Sequence, residues 1–351
     1  MTRPSQTIFA GPDKKTQLLR DTLLKQVNNT PSGGTIRWMC YYFYEPVLLD
    51  ALISAAKRGV KIEIIVEGRP RTQPVSQLCR EMFEQHPCID ITYVQQKSVW
   101  EYMGITWHPH MHSKLYYFSH PTPHVLVGSY NPTAGPESMN ESLVDQIGNH
   151  ALSHNVLVRL DDASIVEHLL DYVMKMKRKS FAHTARISNS RRRHYSDKYY
   201  QIYFLPRLAS HPVTRLLAKK TRNAQIRCAI SHLKGPAIAR PLLAAARHGN
   251  HVEIILGQSK RRVSGRQLSL LDKHEIKYHQ LDNGSNLLMH NKFIICQSPG
   301  EHGVLFGSFN WSMRSWWLNH EILVYTKDNN IVNAFEQRWQ EMLESTRNQN
   351  H

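Results

Sequence analysis

The second half of this 351-residue chain repeats the pattern of the first half. The apolar residues 35–43, which are typical of a buried strand, have a counterpart in residues 225–230. In both halves a stretch with helical spacing follows, ends at Gly59 or Gly249, and gives way to a second strand-like run. The repeat therefore predicts two β-α-β units and two similar halves instead of one continuous core.

Each half also carries the same short polar motif. The first copy is HSK at 112–114 with GSYN at 128–131, and the second is HNK at 290–292 with GSFN at 307–310. The matching glycines lie 190 residues apart but the matching histidines only 178 apart. We therefore expect extra residues before the first histidine, in a loop that contains Trp100, Tyr102 and Trp107.

The distribution of charged residues along the chain suggests how it is divided. We predict an N-terminal half at 1–173, a basic linker at 174–201 and a C-terminal half at 202–351. The chain has 44 Lys and Arg against 28 Asp and Glu, a net charge of +16, which favours a polyanionic partner such as nucleic acid or an anionic membrane surface. The basic linker is equally typical of a solvated segment, so a phosphate-binding strip and a plain linker both stay open.

The paired motifs resemble those of the phospholipase D superfamily, in which HxK is followed downstream by a GSxN loop, either twice in one chain or once per subunit. The resemblance extends from about residue 7 to 345 and implies an α/β, duplicated phospholipase D-like fold. Its two α/β/α halves would be related by a pseudo-twofold, with the active site between them. The superfamily's usual aspartate is replaced by Ser119 and Gln297, and in that respect the chain is similar to tyrosyl-DNA phosphodiesterases.

The motif residues suit phosphodiester chemistry. Lys114, Lys292, Asn131 and Asn310 would supply fixed donors to the charge that develops on the non-bridging oxygens. Histidine suits the two remaining roles because it titrates near neutral pH. One imidazole would form a phosphohistidine, while the other would protonate the leaving oxygen and then activate water or an alcohol. This reaction needs no cofactor and no metal, and a monomer carrying both copies is sufficient for a complete site.

One difference between the halves assigns roles to the histidines. When the halves are aligned by the strand after GSxN, Asn155 corresponds to Glu321. If each contacts the histidine of its own half, the carboxylate favours a protonated His290 and the amide leaves His112 neutral. We therefore expect His112 to be the nucleophile and His290 the acid and base, with Glu321 in the catalytic set.

Further candidates have competing interpretations. The residues we expect to contact substrate are Ser129, Ser308, Asn155, Trp107 and Trp311. The tryptophans would stack on bases or lie against lipid tails, but they are equally typical of a core. The alternating His108, His110 and His112 are also compatible with a metal site, although no acidic or cysteine cluster accompanies them.

Three functions follow from these features. The favoured one is a nuclease or end-processing phosphodiesterase acting on nucleic acid. The alternatives are a phospholipase D or phosphatidyltransferase acting on anionic phospholipid, and an inactive binding protein that kept the fold. The absence of an apolar leader and the odd number of cysteines, five, predict a cytoplasmic location.

Overall fold

The computed structural model describes residues 6–95, 108–134, 141–150, 152–178, 194–207, 210–259, 261–281 and 288–348. The chain divides into two compact units. Unit 1 comprises Arg3–Ile187 with Ser285–Leu288, and unit 2 comprises Ser188–Gly284 with Met289–His351.

Unit 1 is built on a seven-stranded sheet. Its described strands are β1 (Thr7–Ala10), β2 (Thr35–Cys40), β3 (Lys61–Glu67), β4 (Asp90–Val94), β5 (Leu115–Phe118), β6 (His124–Gly128) and β7 (Asn155–Leu160). Its described helices are α1 (Leu18–Asn29), α2 (Pro46–Lys57), α3 (Gln73–Glu84), α4 (Glu141–Ile147) and α5 (Ala163–Arg178). The strand order across the sheet is β1-β7-β6-β5-β2-β3-β4.

Unit 2 is built on an eight-stranded sheet. Its described strands are β8 (His194–Ser196), β9 (Tyr200–Leu205), β10 (Gln225–Ile230), β11 (Leu233–Lys234), β12 (His251–Gly257), β13 (Lys277–Leu281), β14 (Lys292–Ser298), β15 (Glu301–Gly307), β16 (Trp311–Ser312) and β17 (Glu321–Thr326). Its described helices are α6 (Pro212–Ala218), α7 (Pro236–Arg247), α8 (Gly265–Lys273), α9 (Met313–Trp317) and α10 (Asn329–Asn348). The large sheet has the order β13-β12-β10-β14-β15-β17-β9-β8, and β11 pairs with β16 separately.

The two large sheets have the same topology once β8 is set aside. Strands β1 to β7 of unit 1 correspond in order to β9, β10, β12, β13, β14, β15 and β17, and corresponding pairs run in the same relative directions. The register is shared as well, since Ile36 lies between Ile62 and Phe118 while Ile226 lies between Val252 and Cys296. The predicted duplicated α/β fold is therefore confirmed.

Alternation along the strands explains why each sheet carries helices on both faces. In β2, Trp38 points into the core formed with α1, α2 and α3, whereas Arg37 points to the opposite face. There Arg37 pairs with Glu63, and Lys177 of α5 donates to Glu63 at 2.7 Å. In unit 2, Arg227 of β10 likewise pairs with Glu336 of α10 at 2.6 Å. Each unit therefore has three layers, helix, sheet and helix.

Both ends of the predicted linker contain secondary structure. Residues 174–178 continue α5, because apolar side chains such as Tyr172, Val173 and Met176 are buried at helical spacing. Residues 194–196 form β8, which pairs with β9. Residues 179–193 lie outside the described residues, as does the expected loop containing Trp100, Tyr102 and Trp107.

None of the helices in the described residues is both long and apolar enough to cross a membrane. The five cysteines are free thiols, of which Cys88 is exposed and the other four are buried.

Candidate active site

The two HxK segments fold in the same way. Each lies at the start of a central strand, Lys114 just before β5 and Lys292 as the first residue of β14. Both lysines are buried, with exposed fractions of 0% and 4%. In each copy the Nζ donates to the backbone carbonyl of the histidine two residues earlier, at 2.5 Å. The structure thus fixes each ammonium beside the backbone of its own histidine, where it is removed from bulk water and acts more strongly on nearby charge.

The glycine of each GSxN loop is required by close backbone packing. A Cβ on Gly128 would lie 1.9 Å from the carbonyl oxygen of Val156, and a Cβ on Gly307 would lie 2.1 Å from that of Ile322. Both distances are far below van der Waals contact. Any larger residue would push the loop away from the neighbouring strand and displace the serine and asparagine that follow.

The serine of each loop connects to the strand beyond it. Ser129 Oγ donates to Asn155 Oδ1 at 3.0 Å, and Ser308 Oγ donates to Glu321 Oε2 at 2.5 Å. The same hydroxyls accept the backbone N–H groups of Val156 and Ile322, at 3.1 and 3.0 Å. All four polar side chains have exposed fractions of 0%.

The strand register places Asn155 and Glu321 in equivalent positions. Gly128 pairs with Leu157 and Gly307 pairs with Leu323, so each polar residue lies two positions before the glycine's partner. The alignment predicted from the sequence therefore holds. Their hydrogen bonds to the serines make Asn155 and Glu321 supports of the GSxN loops, and a contact with the histidines stays a prediction.

The two asparagines also adopt matching turns. The Asn131 carbonyl accepts the N–H of Thr133 at 2.9 Å, and the Asn310 carbonyl accepts that of Ser312 at 2.8 Å. Within the described part of the chain, the side-chain Oδ1 of neither asparagine has a hydrogen-bond partner although both atoms are buried. A buried amide without such a partner is costly. Each Oδ1 can therefore accept a hydrogen bond from a polar group that binds beside it.

Unit 1 surrounds His112 with side chains that the sequence interpretation missed. The Tyr41 ring lies 5.1 Å from the His112 ring and 5.5 Å from the His110 ring, between centroids. Lys114 Nζ lies 5.5 Å from the Tyr41 centroid. Burial raises the pKa of the Tyr41 hydroxyl well above its usual range, so Tyr41 stays neutral. Glu67, at the end of β3, has an exposed fraction of 2% and accepts the Met111 N–H at 2.6 Å.

Unit 2 has different residues at the corresponding strand ends. By the register, Ser231 corresponds to Tyr41 and Gly257 corresponds to Glu67. Ser231 accepts a hydrogen bond from Arg262 Nη1 at 3.2 Å. The sequence itself contains these differences, because residues 35–41 and 60–67 align with 225–231 and 250–257 at an offset of 190 residues.

The tryptophan candidates have different positions. Trp311 has an exposed fraction of 1% and packs in the core of unit 2. It is therefore a core residue, and its ring has no surface on which a substrate could stack. Trp316 is buried there too, whereas Trp317 is 56% exposed. Trp107 lies outside the described residues.

The alternating histidines have no metal-binding partners among the residues described. No group there of three or more His, Cys, Asp or Glu side chains is placed to hold a metal ion. His110 instead has its Nδ1 3.9 Å from a Glu67 oxygen and its ring beside Tyr41.

Sequence comparison identifies relatives of this arrangement. Residues 23–175 and 216–343 match the family described as cardiolipin synthase, PLD-like domain. The chain is 31% identical over 111 residues to mitochondrial cardiolipin hydrolase of Xenopus tropicalis, an alignment that covers 30% of this chain and 50% of that protein. The chain thus spans half the length of this curated relative.

Solved structures resemble the fold over most of the chain. Phosphatidylserine synthase of Haemophilus influenzae Rd KW20 gives a TM-score of 0.65 at 11% identity, covering 97% of this chain and 86% of that one. Polyphosphate kinase of Porphyromonas gingivalis gives 0.63 at 13% identity, covering 97% and 50%. A mutant of yeast tyrosyl-DNA phosphodiesterase gives 0.52 at 12% identity, covering 93% and 89%. At these identities the likenesses establish the fold alone.

Proposed function

Because the chain belongs to the family of cardiolipin synthase-type, phospholipase D-like domains, we propose that it is a phosphodiesterase that works through a phosphohistidine and without a metal ion. The observation that carries the proposal is the presence of two folded HxK/GSxN sets. In both sets the lysine is buried against the carbonyl of its own histidine, and the serine is hydrogen-bonded to Asn155 or Glu321.

The proposed reaction has two displacements. A nitrogen of His112 attacks phosphorus, a P–N bond forms, and the P–O bond to the leaving group breaks as His290 donates its proton to that oxygen. His290 then removes a proton from water, whose oxygen attacks phosphorus and releases His112. Lys114 and Lys292 offset the charge on the non-bridging oxygens, and the amides of Asn131 and Asn310 donate to them.

The assignment of the histidines follows from the support of each GSxN loop. Unit 2 contains a buried carboxylate, Glu321, at the position where unit 1 has the amide of Asn155. A carboxylate stabilises a positive charge in its surroundings, and an amide does so far less. His290 is therefore the better proton donor, and His112 is the better neutral nucleophile.

Nucleic acid is the substrate that we favour. The net charge of +16 attracts a polyanion, and Ser119 and Gln297 replace the superfamily's usual aspartate, as in tyrosyl-DNA phosphodiesterases. A single chain holds both motif sets, so a monomer is sufficient for the reaction. A nuclease or end-processing enzyme of the cytoplasm is the role that fits these features.

Phospholipid is the second candidate. The description of the matching family names cardiolipin synthase, and the relative from Xenopus tropicalis is a mitochondrial cardiolipin hydrolase. Cardiolipin contains phosphodiesters, so the same two displacements would cleave or transfer its head group.

A direct assay tests both candidates. The purified protein would be incubated with EDTA and labelled single-stranded DNA, duplex DNA, RNA or cardiolipin-containing vesicles. Samples quenched in alkaline denaturant, in which the P–N bond is stable, would be analysed for phosphohistidine by peptide mass spectrometry. We expect cleavage of nucleic acid, label on His112, and loss of both in His112→Ala. The exposed His248 provides the matched control, since His248→Ala removes an imidazole at the end of α7.

The outcomes separate the hypotheses. Cleavage of vesicle lipid alone would replace nucleic acid by phospholipid as substrate. Full activity in His112→Ala, or inhibition by EDTA, would refute the mechanism. Binding without cleavage of any of the four substrates would support the inactive binding protein.

A further inference from the structure

A buried glutamate holds the backbone next to His112. Glu67 is the last residue of β3, and its carboxylate accepts the N–H of Met111 at 2.6 Å and the N–H of Arg69 at 2.8 Å. Its Oε1 also lies 3.9 Å from His110 Nδ1. The carboxylate thus ties the residue immediately before His112 to the end of a strand 44 positions earlier in the chain.

The same turn also holds the aromatic ring that packs against His112. The Arg71 N–H donates to the Tyr41 hydroxyl at 2.6 Å, and the Tyr41 ring lies edge-on to His112 with 5.1 Å between centroids. We call residues 67–71 the Glu67 turn. It contacts the HxK segment at two points, through the backbone of Met111 and through the ring of Tyr41.

The fold does not require this carboxylate. Unit 2 has the same strand order, the same register and the same lysine-to-histidine hydrogen bond, yet it has Gly257 where unit 1 has Glu67. A Cβ at Gly257 would already lie 3.1 Å from Met289 Cβ. In unit 2 the methionine before the HxK histidine therefore packs against a glycine, at the position where unit 1 has a carboxylate. Burying a carboxylate costs free energy that only good hydrogen bonds offset, and unit 2 adopts the same fold with a glycine at this position, so we look for the role of Glu67 outside the fold.

We infer that Glu67 is a positioning residue for the imidazole of His112, acting through the Met111 backbone and the Tyr41 ring. This inference rests on the proposed function, in which His112 attacks phosphorus. A nucleophile must be held in a narrow range of orientations, whereas a proton carrier tolerates more movement because a proton transfers across any adequate hydrogen bond. The absence of an equivalent carboxylate at position 257 agrees with the role of His290 as acid and base.

The test compares Glu67→Gln with Glu63→Gln. Glutamine at 67 has one carbonyl oxygen for two backbone N–H donors, so one of the two hydrogen bonds is lost. Glu63 is the matched control because it lies on the same strand, has an exposed fraction of 3%, and bonds to Arg37 and Lys177, whereas Glu67 bonds to the Met111 backbone. We expect Glu67→Gln to lower kcat roughly 10- to 100-fold while KM stays within about twofold, and Glu63→Gln to leave both unchanged.

A second measurement does not depend on catalysis. The rate at which diethylpyrocarbonate modifies each histidine would be followed by peptide mass spectrometry. We expect the rate at His112 to rise severalfold in Glu67→Gln and to stay at the wild-type value in Glu63→Gln, with His290 unchanged in both. If the wild-type protein cleaves no phosphodiester, the proposed function fails while this comparison still decides the positioning role.

Other results would overturn the inference. These are an unchanged kcat together with an unchanged rate at His112, an equal change at His112 and His290, or a drop in melting temperature for Glu67→Gln that accounts for the lost activity. The last two would show that Glu67 maintains the fold instead of orienting one histidine.

Discussion

Unit 1 and unit 2 place the same motif on the same sheet and surround it differently. In unit 1 the HxK histidine lies against Tyr41, and its backbone is held by Glu67. In unit 2 the equivalent positions are Ser231 and Gly257, and Arg262 donates to the serine. The GSxN serine is bonded to an amide in unit 1 and to a carboxylate in unit 2.

The comparison of the two units shows which features the halves share and where they differ. Strand order, register and the lysine-to-carbonyl hydrogen bond are shared, because each depends on backbone packing that tolerates little change. The differences lie at the ends of strands, where a side chain alters the electrostatics of the site without disturbing the sheet. Two halves with one strand topology can therefore differ in chemistry, as we propose for His112 and His290.

The largest effect should come from the shared feature. Lys114→Met and Lys292→Met each remove a buried ammonium, and we expect each to lower kcat/KM by roughly 100- to 1,000-fold because a fixed donor to the phosphoryl oxygens is lost. Lys220 supplies the control, since it is also buried in unit 2 but pairs with Glu301 at 2.7 Å. Steady-state kinetics of the three variants would measure the effect, and a loss below tenfold for either motif lysine would contradict equal dependence on both.

The next effect concerns the support of the GSxN serines. Glu321→Gln should lower kcat roughly 10- to 100-fold, because the carboxylate that accepts from Ser308 is replaced by a neutral amide. Asn155→Asp combined with Glu321→Gln exchanges the two chemistries between the units. We expect phosphopeptides from samples quenched in alkaline denaturant to carry the label on His112 in the wild type and to show part of it on His290 in the double variant. Label on His290 in the wild type would reverse the assignment.

The duplication could be predicted because it rests on local patterns. Residues 225–230 form a strand and Pro236–Arg247 a helix as the sequence indicates, and Asn155 and Glu321 align by register. The contacts around Tyr41 and Glu67 could not be predicted from one half alone, since they join residues far apart in the chain through side-chain packing. The position of Trp311 cannot be predicted from the sequence, because its burial depends on the pairing of β16 with β11.

The surroundings of the two GSxN loops should contribute differently to the pH dependence of stability. In unit 2, Phe309 and Trp316 pack on His211, with the Trp316 ring stacked 3.7 Å from the imidazole. Burial, assisted by Arg207, lowers the pKa of His211 from 6.5 to about 3. In unit 1, the backbone carbonyl of Tyr130, at the equivalent loop position, accepts from the Tyr116 hydroxyl at 2.7 Å, and neither a carbonyl nor a phenol titrates under acid conditions.

Stability should therefore fall as the pH drops below 6.5, because the unfolded chain binds a proton at His211 that the folded chain excludes until about pH 3. At pH 5 this group should lower the free energy of unfolding by roughly 2 kcal/mol relative to pH 7. Urea unfolding of the wild type and His211→Phe at both pH values measures the difference. The variant should keep the ring packing and lose this part of the pH dependence, and an identical dependence in both proteins would assign it to other groups.

The smallest effect should come from the hydroxyls at the strand ends. Tyr41→Phe removes the acceptor of the Arg71 N–H but keeps the ring beside His112, so we expect a loss of about 1 kcal/mol, seen as a roughly fivefold lower kcat. Ser231→Ala instead releases Arg262, and its effect should appear in KM and in the salt dependence of binding, because a guanidinium attracts phosphate over a distance. If the two variants changed kcat and KM in the same way, Tyr41 and Ser231 would not have different roles in the two units. A kcat effect confined to Tyr41→Phe would place the orientation of the proposed nucleophile in unit 1, where the Glu67 turn contacts both the Met111 backbone and the Tyr41 hydroxyl.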